Sequence, residues 1–192
     1  MVRGMWKADV TMFFRCLCEV VPKRIPNIGG VLFCTVIIFF LFVLIEGRTN
    51  WSQIKRRKRE YIYRFLLAFF IAVFLNVTIV GRDKAVQYQF ELTPFQSYMC
   101  IFRERDMYRL IENAMNIILL MPIGMLLPMC FACFKKVFRT FGITFLFVVI
   151  IESIQLFCRV GVFEVDDIIH NMVGFVGGFG LYTFVIRRYC TG

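Results

Sequence analysis

The chain has 192 residues and a formal net charge of +10, a length that suits one domain. Hydrophobic residues make up 59% of it and charged residues only 19%, whereas a typical globular chain is roughly 45–50% apolar. A soluble fold of this size cannot bury so much apolar surface. An ordinary cytoplasmic enzyme, a disordered tail and a disulfide-rich secreted module are therefore excluded, and an integral membrane protein remains.

Residues 1–26 form a tail in which the stretch 8–22 holds Asp9, Arg15 and Glu19, too many charges for a span and better suited to a helix lying in the membrane interface. The apolar core starts late, near Ile28, with no Ala-x-Ala site after it, so the first span reads as an uncleaved anchor. Five apolar runs follow. The first is 28–45. The second, 65–81, is preceded by Tyr61 and Tyr63, which suit the interface. The third, 113–134, carries Pro122, Gly124 and Pro128. The fourth, about 140–158, contains one charge, Glu152, and the fifth, 168–186, is stopped by Arg187 and Arg188. Each is near the ~20 residues that cross a ~30 Å hydrocarbon core as a helix. The expected fold is all-α, a polytopic α-helical membrane bundle of about five transmembrane helices, with no alternating strands of the barrel kind.

Lys and Arg in short connections set orientation. The first connection carries Arg48, Lys55, Arg56, Arg57, Lys58 and Arg59, the third Lys135, Lys136 and Arg139, and the C-terminus Arg187 and Arg188. These dense loops predict a cytoplasmic face formed by 46–60, 135–139 and 187–192. The N-terminal tail and the connections 82–112 and 159–167 then lie outside, although Arg3, Lys7, Arg15, Lys23 and Arg24 oppose that placement of the tail. Basic residues placed this way meet anionic lipid head groups rather than nucleic acid. The eight Cys read as small hydrophobes. Zinc needs about four ligands, and the lone His170 is far in sequence from the pairs Cys16–Cys18 and Cys130–Cys133, so no metal and no cofactor are expected.

Polar groups at membrane depth are costly and mark the places where function is expected. Glu152, Gln155 and Arg159 are spaced i, i+3, i+7, one helical face. Asp167, Asn171, Gly174 and Gly178 form a stripe on the fifth span, and a Gly-containing turn between them would pair the two helices antiparallel. Asn113 and Asn116 can join from the third span. Two readings stand side by side. In one, Glu152–Arg159 and Asp167–Arg159 are ion pairs fastening the helices, and Gly174 and Gly178 permit close packing. In the other, the same groups line an outward-facing pocket for a polar head group.

These residues also carry a resemblance. Asn116, Pro122, Gly124 and Pro128, set in an otherwise apolar run, resemble the "N-hydrophobic-P-x-G-hydrophobic-P" helix of the VanZ-like family. Glu152, Gln155, Arg159, Asp166, Asp167, Asn171 and Gly174 resemble its "E-x-x-Q … R … D-x-x-x-N-x-x-G" signature, and Glu91, Leu92, Pro94 and Phe95 are similar to its upstream "N-L-x-P-F" element. Glu91 stands where Asn is usual and His170 where an aliphatic residue is usual. The resemblance covers about 65–186 and divides the chain into a tail (1–26), an extra first span with its basic loop (27–60) and a four-helix membrane domain (61–192). It implies a bacterial plasma-membrane protein, a family link to teicoplanin-type glycopeptide resistance, and a polar cluster of Asn116, Glu152, Gln155, Arg159, Asp166, Asp167 and Asn171 beside packing positions Pro122, Gly124, Gly174 and Gly178.

The leading functional expectation is a non-enzymatic envelope protein whose partners are membrane lipids and a lipid-linked envelope precursor or lipoglycopeptide, with no catalytic residue assigned. An intramembrane enzyme acting on a lipid phosphate is one alternative, with Glu152 and Asp167 as acid and base and Arg159 holding phosphate. The chain shows no nucleophile motif or Gly-rich phosphate loop to support it. A small transporter is the other, but the spans show no repeated half.

Overall fold

The computed structural model describes residues 28–45, 58–80 and 88–186. The predicted interfacial helix at 8–22, most of the first basic loop and the C-terminal 187–192 lie outside them. The described part is an all-helical bundle. Its helices are α1 (Ile28–Ile45), α2 (Lys58–Leu75), α3 (Gln96–Glu104), α4 (Met107–Cys130), α5 (Val137–Phe157) and α6 (Val165–Leu181). Short π turns, Asn76–Val80 and Tyr182–Ile186, extend α2 and α6, and two strands of two residues each, β1 (Phe90–Glu91) and β2 (Phe163–Glu164), pair in parallel.

Among the described residues three stretches are long and apolar enough to cross a membrane: Arg59–Val80, Met107–Cys130 and Val137–Phe157. The α1 helix has 18 residues and α6 has 17 before its π turn, so the bundle matches the expected class while its span count is approximate. The connection expected over 82–112 is largely structured. It contains β1, all of α3 and the first turn of α4, which begins at Met107 rather than Asn113. The reason is local: Asp106 caps α4, its carboxylate accepting from the backbone N–H of Tyr108 (3.0 Å) and Arg109 (3.2 Å), which satisfies donors that a helix start leaves open. Twenty-four residues give α4 roughly 36 Å, and it runs unbroken through Pro122 and Pro128, as helices in lipid tolerate when neighbours cover the freed groups.

The closest helix pair is α4 with α6. A Cβ on Gly174 would collide with the Ile117 carbonyl oxygen, one on Gly178 with that of Met121, and one on Gly124 with that of Phe175. Small residues therefore let the two backbones touch, the packing device of helices in lipid. Around this seam a core of Leu67, Phe74, Leu120, Ile123, Val148 and Phe175 is buried. Hydroxyls in the apolar helices close on their own backbone: Thr35 donates to the Val31 carbonyl and Thr78 to that of Phe74, both at 2.7 Å.

The ring contact of Phe42 with Phe131 and the Arg64 guanidinium over the Phe131 ring gather the end of α1, the start of α2 and the α4–α5 connection at one end of the bundle. At the other end the Gln155 side chain reaches the Thr78 carbonyl, and β1 pairs with β2.

Candidate functional site

The second end of the bundle is held by one carboxylate. The α3 N-cap is Phe95, which has a left-handed backbone (φ 65°) and no capping side chain. Asp166, in the first turn of α6, supplies the cap from 71 residues away. Its Oδ1 accepts from the Phe95 N–H (2.5 Å), and its Oδ2 accepts from the Ser97 N–H (2.8 Å) and hydroxyl (2.6 Å). A carboxylate at a helix N-terminus meets both the open N–H groups and the positive end of the dipole. Asn113 of α4 donates to the Ser97 hydroxyl oxygen (3.1 Å), and the Tyr98 hydroxyl lies 2.9 Å from His170 Nε2. Beneath this latch Asn116 donates to Asp167 Oδ1 at 2.6 Å, tying α4 to α6.

Deeper in the bundle Glu152, Gln155 and Asn171 are almost fully buried. The Gln155 side-chain amide donates to the Thr78 carbonyl oxygen at 3.0 Å. The oxygens Gln155 Oε1, Asn171 Oδ1 and Asn76 Oδ1 have no hydrogen-bond partner among the described residues. Gln155 meets the π turn that ends α2, and Asn76 is the first residue of that turn.

Arg159 departs from the expected face. The α5 helix ends at Phe157, and Arg159 turns to φ 55° just beyond it. The Val160 N–H reaches back to the Gln155 carbonyl (2.9 Å) and the Arg159 N–H to that of Leu156 (3.0 Å), the bonding of a left-handed helix terminus. The i, i+7 stripe therefore breaks before its last member. The Arg159 guanidinium is exposed and stacks 4.5 Å over the Tyr88 ring, and among the described residues it forms no ion pair with Glu152 or Asp167. Neither of the two pairs that the fastening reading expects is made among the described residues.

Beside the latch is an open polar cleft of about 480 Å³, lined by Gln89, Phe90, Glu91, Gln96, Arg109, Val162 and Glu164. Arg109 sits at its centre, 3.2 Å from Glu91, 3.7 Å from Asp106 and 3.9 Å from Glu164. Burial, with Asp167 and Glu91 nearby, pushes the Glu164 carboxyl up to about 7, against the pull of Arg109. Arg109, Gln96 and Glu164 belong to no motif that the sequence displays. The available signal was Asp106 three residues before Arg109, a cap followed by a cation in the first turn of a span, where a charge needs acidic company. Arg64 was missed in the same way. It is buried at the start of α2 over the Tyr61 and Phe131 rings. Among the described residues no three His, Cys, Asp or Glu side chains gather as a metal site.

Spans, glycine seam and polar end together define a polytopic helical membrane protein with a hydrogen-bonding site at one end of its bundle. The VanZ/LLP1 family model matches residues 30–187, and the chain belongs to that family. The match begins inside α1, upstream of the motifs at 65–186. No curated protein and no solved structure matches the chain.

Proposed function

We propose that this VanZ-family protein acts without catalysis in the bacterial envelope. Its cleft binds the head group of a lipid-linked envelope precursor or of a lipophilic glycopeptide and so limits access to it. One observation carries the reading: the cleft around Arg109 is polar, open, and set where α4 and α6 begin. The orientation expected from the basic loops turns this end outward. Two carboxylates and two amides outnumber one guanidinium there, which favours amine- and hydroxyl-bearing head groups over a bare phosphate, since a phosphate would face Glu91 and Glu164 as well as Arg109. In this reading Asp166, Asp167, Asn113 and Asn116 shape the cleft by holding α3 and α6 in place, and Gly174 and Gly178 keep α4 and α6 in register.

The test is the thermal midpoint of the full chain in nanodiscs, titrated with teicoplanin. A ligand at a hundred times its Kd stabilises by about 2.7 kcal/mol. The wild type should shift, and Glu91→Gln should lose most of the shift while its unliganded midpoint stays close to wild type, because its partly exposed ion pair with Arg109 contributes only about 0–1 kcal/mol. Equal shifts in both proteins would overturn the cleft as the binding site. Release of phosphate from a lipid pyrophosphate by the purified protein would replace binding with catalysis.

A further inference from the structure

The α3 helix carries large apolar side chains on the face turned away from the bundle. Ser97, on the face towards the bundle, is buried and bonded to Asp166 and Asn113, with Cys100 and Ile101 beside it half-buried. The opposite face carries Phe95, Met99 and Phe102, exposed by 57%, 53% and 82%, and Leu92 continues it in the preceding turn. Positions 95, 99 and 102 fall on one side of a helix at 3.6 residues per turn, so these side chains form a single apolar ridge pointing away from the protein. A contiguous exposed ridge of this kind marks a surface that is covered by something.

Its position identifies what covers it. The α3 N-terminus is capped by the first turn of α6, and its C-terminus passes through Arg105 and Asp106 directly into the span α4. The helix therefore lies at the level where the span α4 starts, with α6 starting beside it, which is the boundary between head groups and acyl chains. Interfacial residues share that level. Tyr88 and Tyr108 are exposed there, Arg159 stacks on Tyr88, and Arg103 is exposed next to Phe102. Aromatic side chains with polar tips and Arg near phosphates are the usual furnishing of this zone.

We propose that α3 is an interfacial helix docked on the lipid bilayer, with Phe95, Met99 and Phe102 seated among the upper acyl chains and Arg103 among the lipid phosphates. An apolar face so placed sinks roughly 5–10 Å into the head-group and acyl boundary. This docking belongs to the outer face of α3 and does not depend on what the cleft binds.

The experiment uses the full chain with its two tryptophans replaced (Trp6→Phe and Trp51→Phe) and a single reporter, Phe102→Trp, in vesicles of equal parts phosphatidylcholine and phosphatidylglycerol. Met99→Trp serves as a second reporter on the same ridge, and Leu146→Trp, exposed at the middle of α5, reports the deep bilayer. Both ridge reporters should show blue-shifted emission and resist quenching by aqueous iodide. Lipids brominated near the head-group end of the acyl chain should quench them about twice as strongly as lipids brominated near the terminal methyl. Leu146→Trp should show the opposite order. Iodide quenching without bromolipid quenching would place the ridge in water and overturn the proposal. Protection from both quenchers would place it against protein and overturn it equally.

Discussion

Two segments, 90–97 and 163–167, contribute to both the latch and the cleft, and the two sites behave differently because of burial. On one side of the joint Asp166 and Ser97 are 4% and 1% exposed, and the carboxylate accepts three hydrogen bonds. On the other, Arg109, Glu91 and Glu164 have side chains 31%, 20% and 23% exposed and meet at 3.2–3.9 Å around an open volume. Carboxylates thus serve as fasteners where water is excluded and backbone donors close on them, and as an accessible surface where donors and acceptors face an open volume. A polar residue at membrane depth is therefore an ambiguous sign until its partners are known.

The largest effect that separates the two should come from Asp166→Ala. It strips the cap from α3 and leaves the Phe95 and Ser97 N–H groups without their acceptor. A hydrogen bond to a charged group contributes about 1.5–3 kcal/mol, so a loss on the order of 3 kcal/mol or more is expected. Thermal unfolding in detergent and faster proteolysis within 88–104 would register it. A wild-type midpoint would show that the latch does not hold this end together.

The next effect is a pH dependence confined to the cleft. The Glu164 carboxyl titrates near 7 in the fold against an ordinary value of 4.5. A raised carboxyl favours the folded state while it is protonated in both states. The contribution is fully present below about 4.5 and is lost as pH climbs through 7. The wild-type midpoint should accordingly fall relative to Glu164→Gln across that window. Parallel curves would mean that Glu164 ionises in the fold as easily as in water.

The smallest effect should belong to Arg159→Lys. An exposed cation over an aromatic ring contributes about 0.5–1 kcal/mol, and Lys retains part of it, so the midpoint should barely move. A collapse in stability would mean that Arg159 has a buried carboxylate partner after all, as the i, i+7 spacing expects, and would erase the contrast between rim and interior.

The class of fold follows from composition and pattern alone. Composition requires lipid, the uncharged runs are long enough for helices, and period alone places Gly174 and Gly178 on one face. Asn116 and Asn171 are likewise legible because a polar group in an apolar run stands out against its neighbours, and Asp167 directly precedes such a run. Tertiary structure alone decided how those residues are used. The Asp166 cap joins positions 71 apart, and the Arg109 cluster joins three separate segments, and no local periodicity encodes such distances. Arg159 shows the limit most clearly: helical spacing is a rule only while the helix lasts, and here the chain turns left-handed one residue past the C-cap. The same holds for α3, whose short mixed sequence gives little reason to form a helix until a carboxylate from another helix caps it and the bundle covers Ser97.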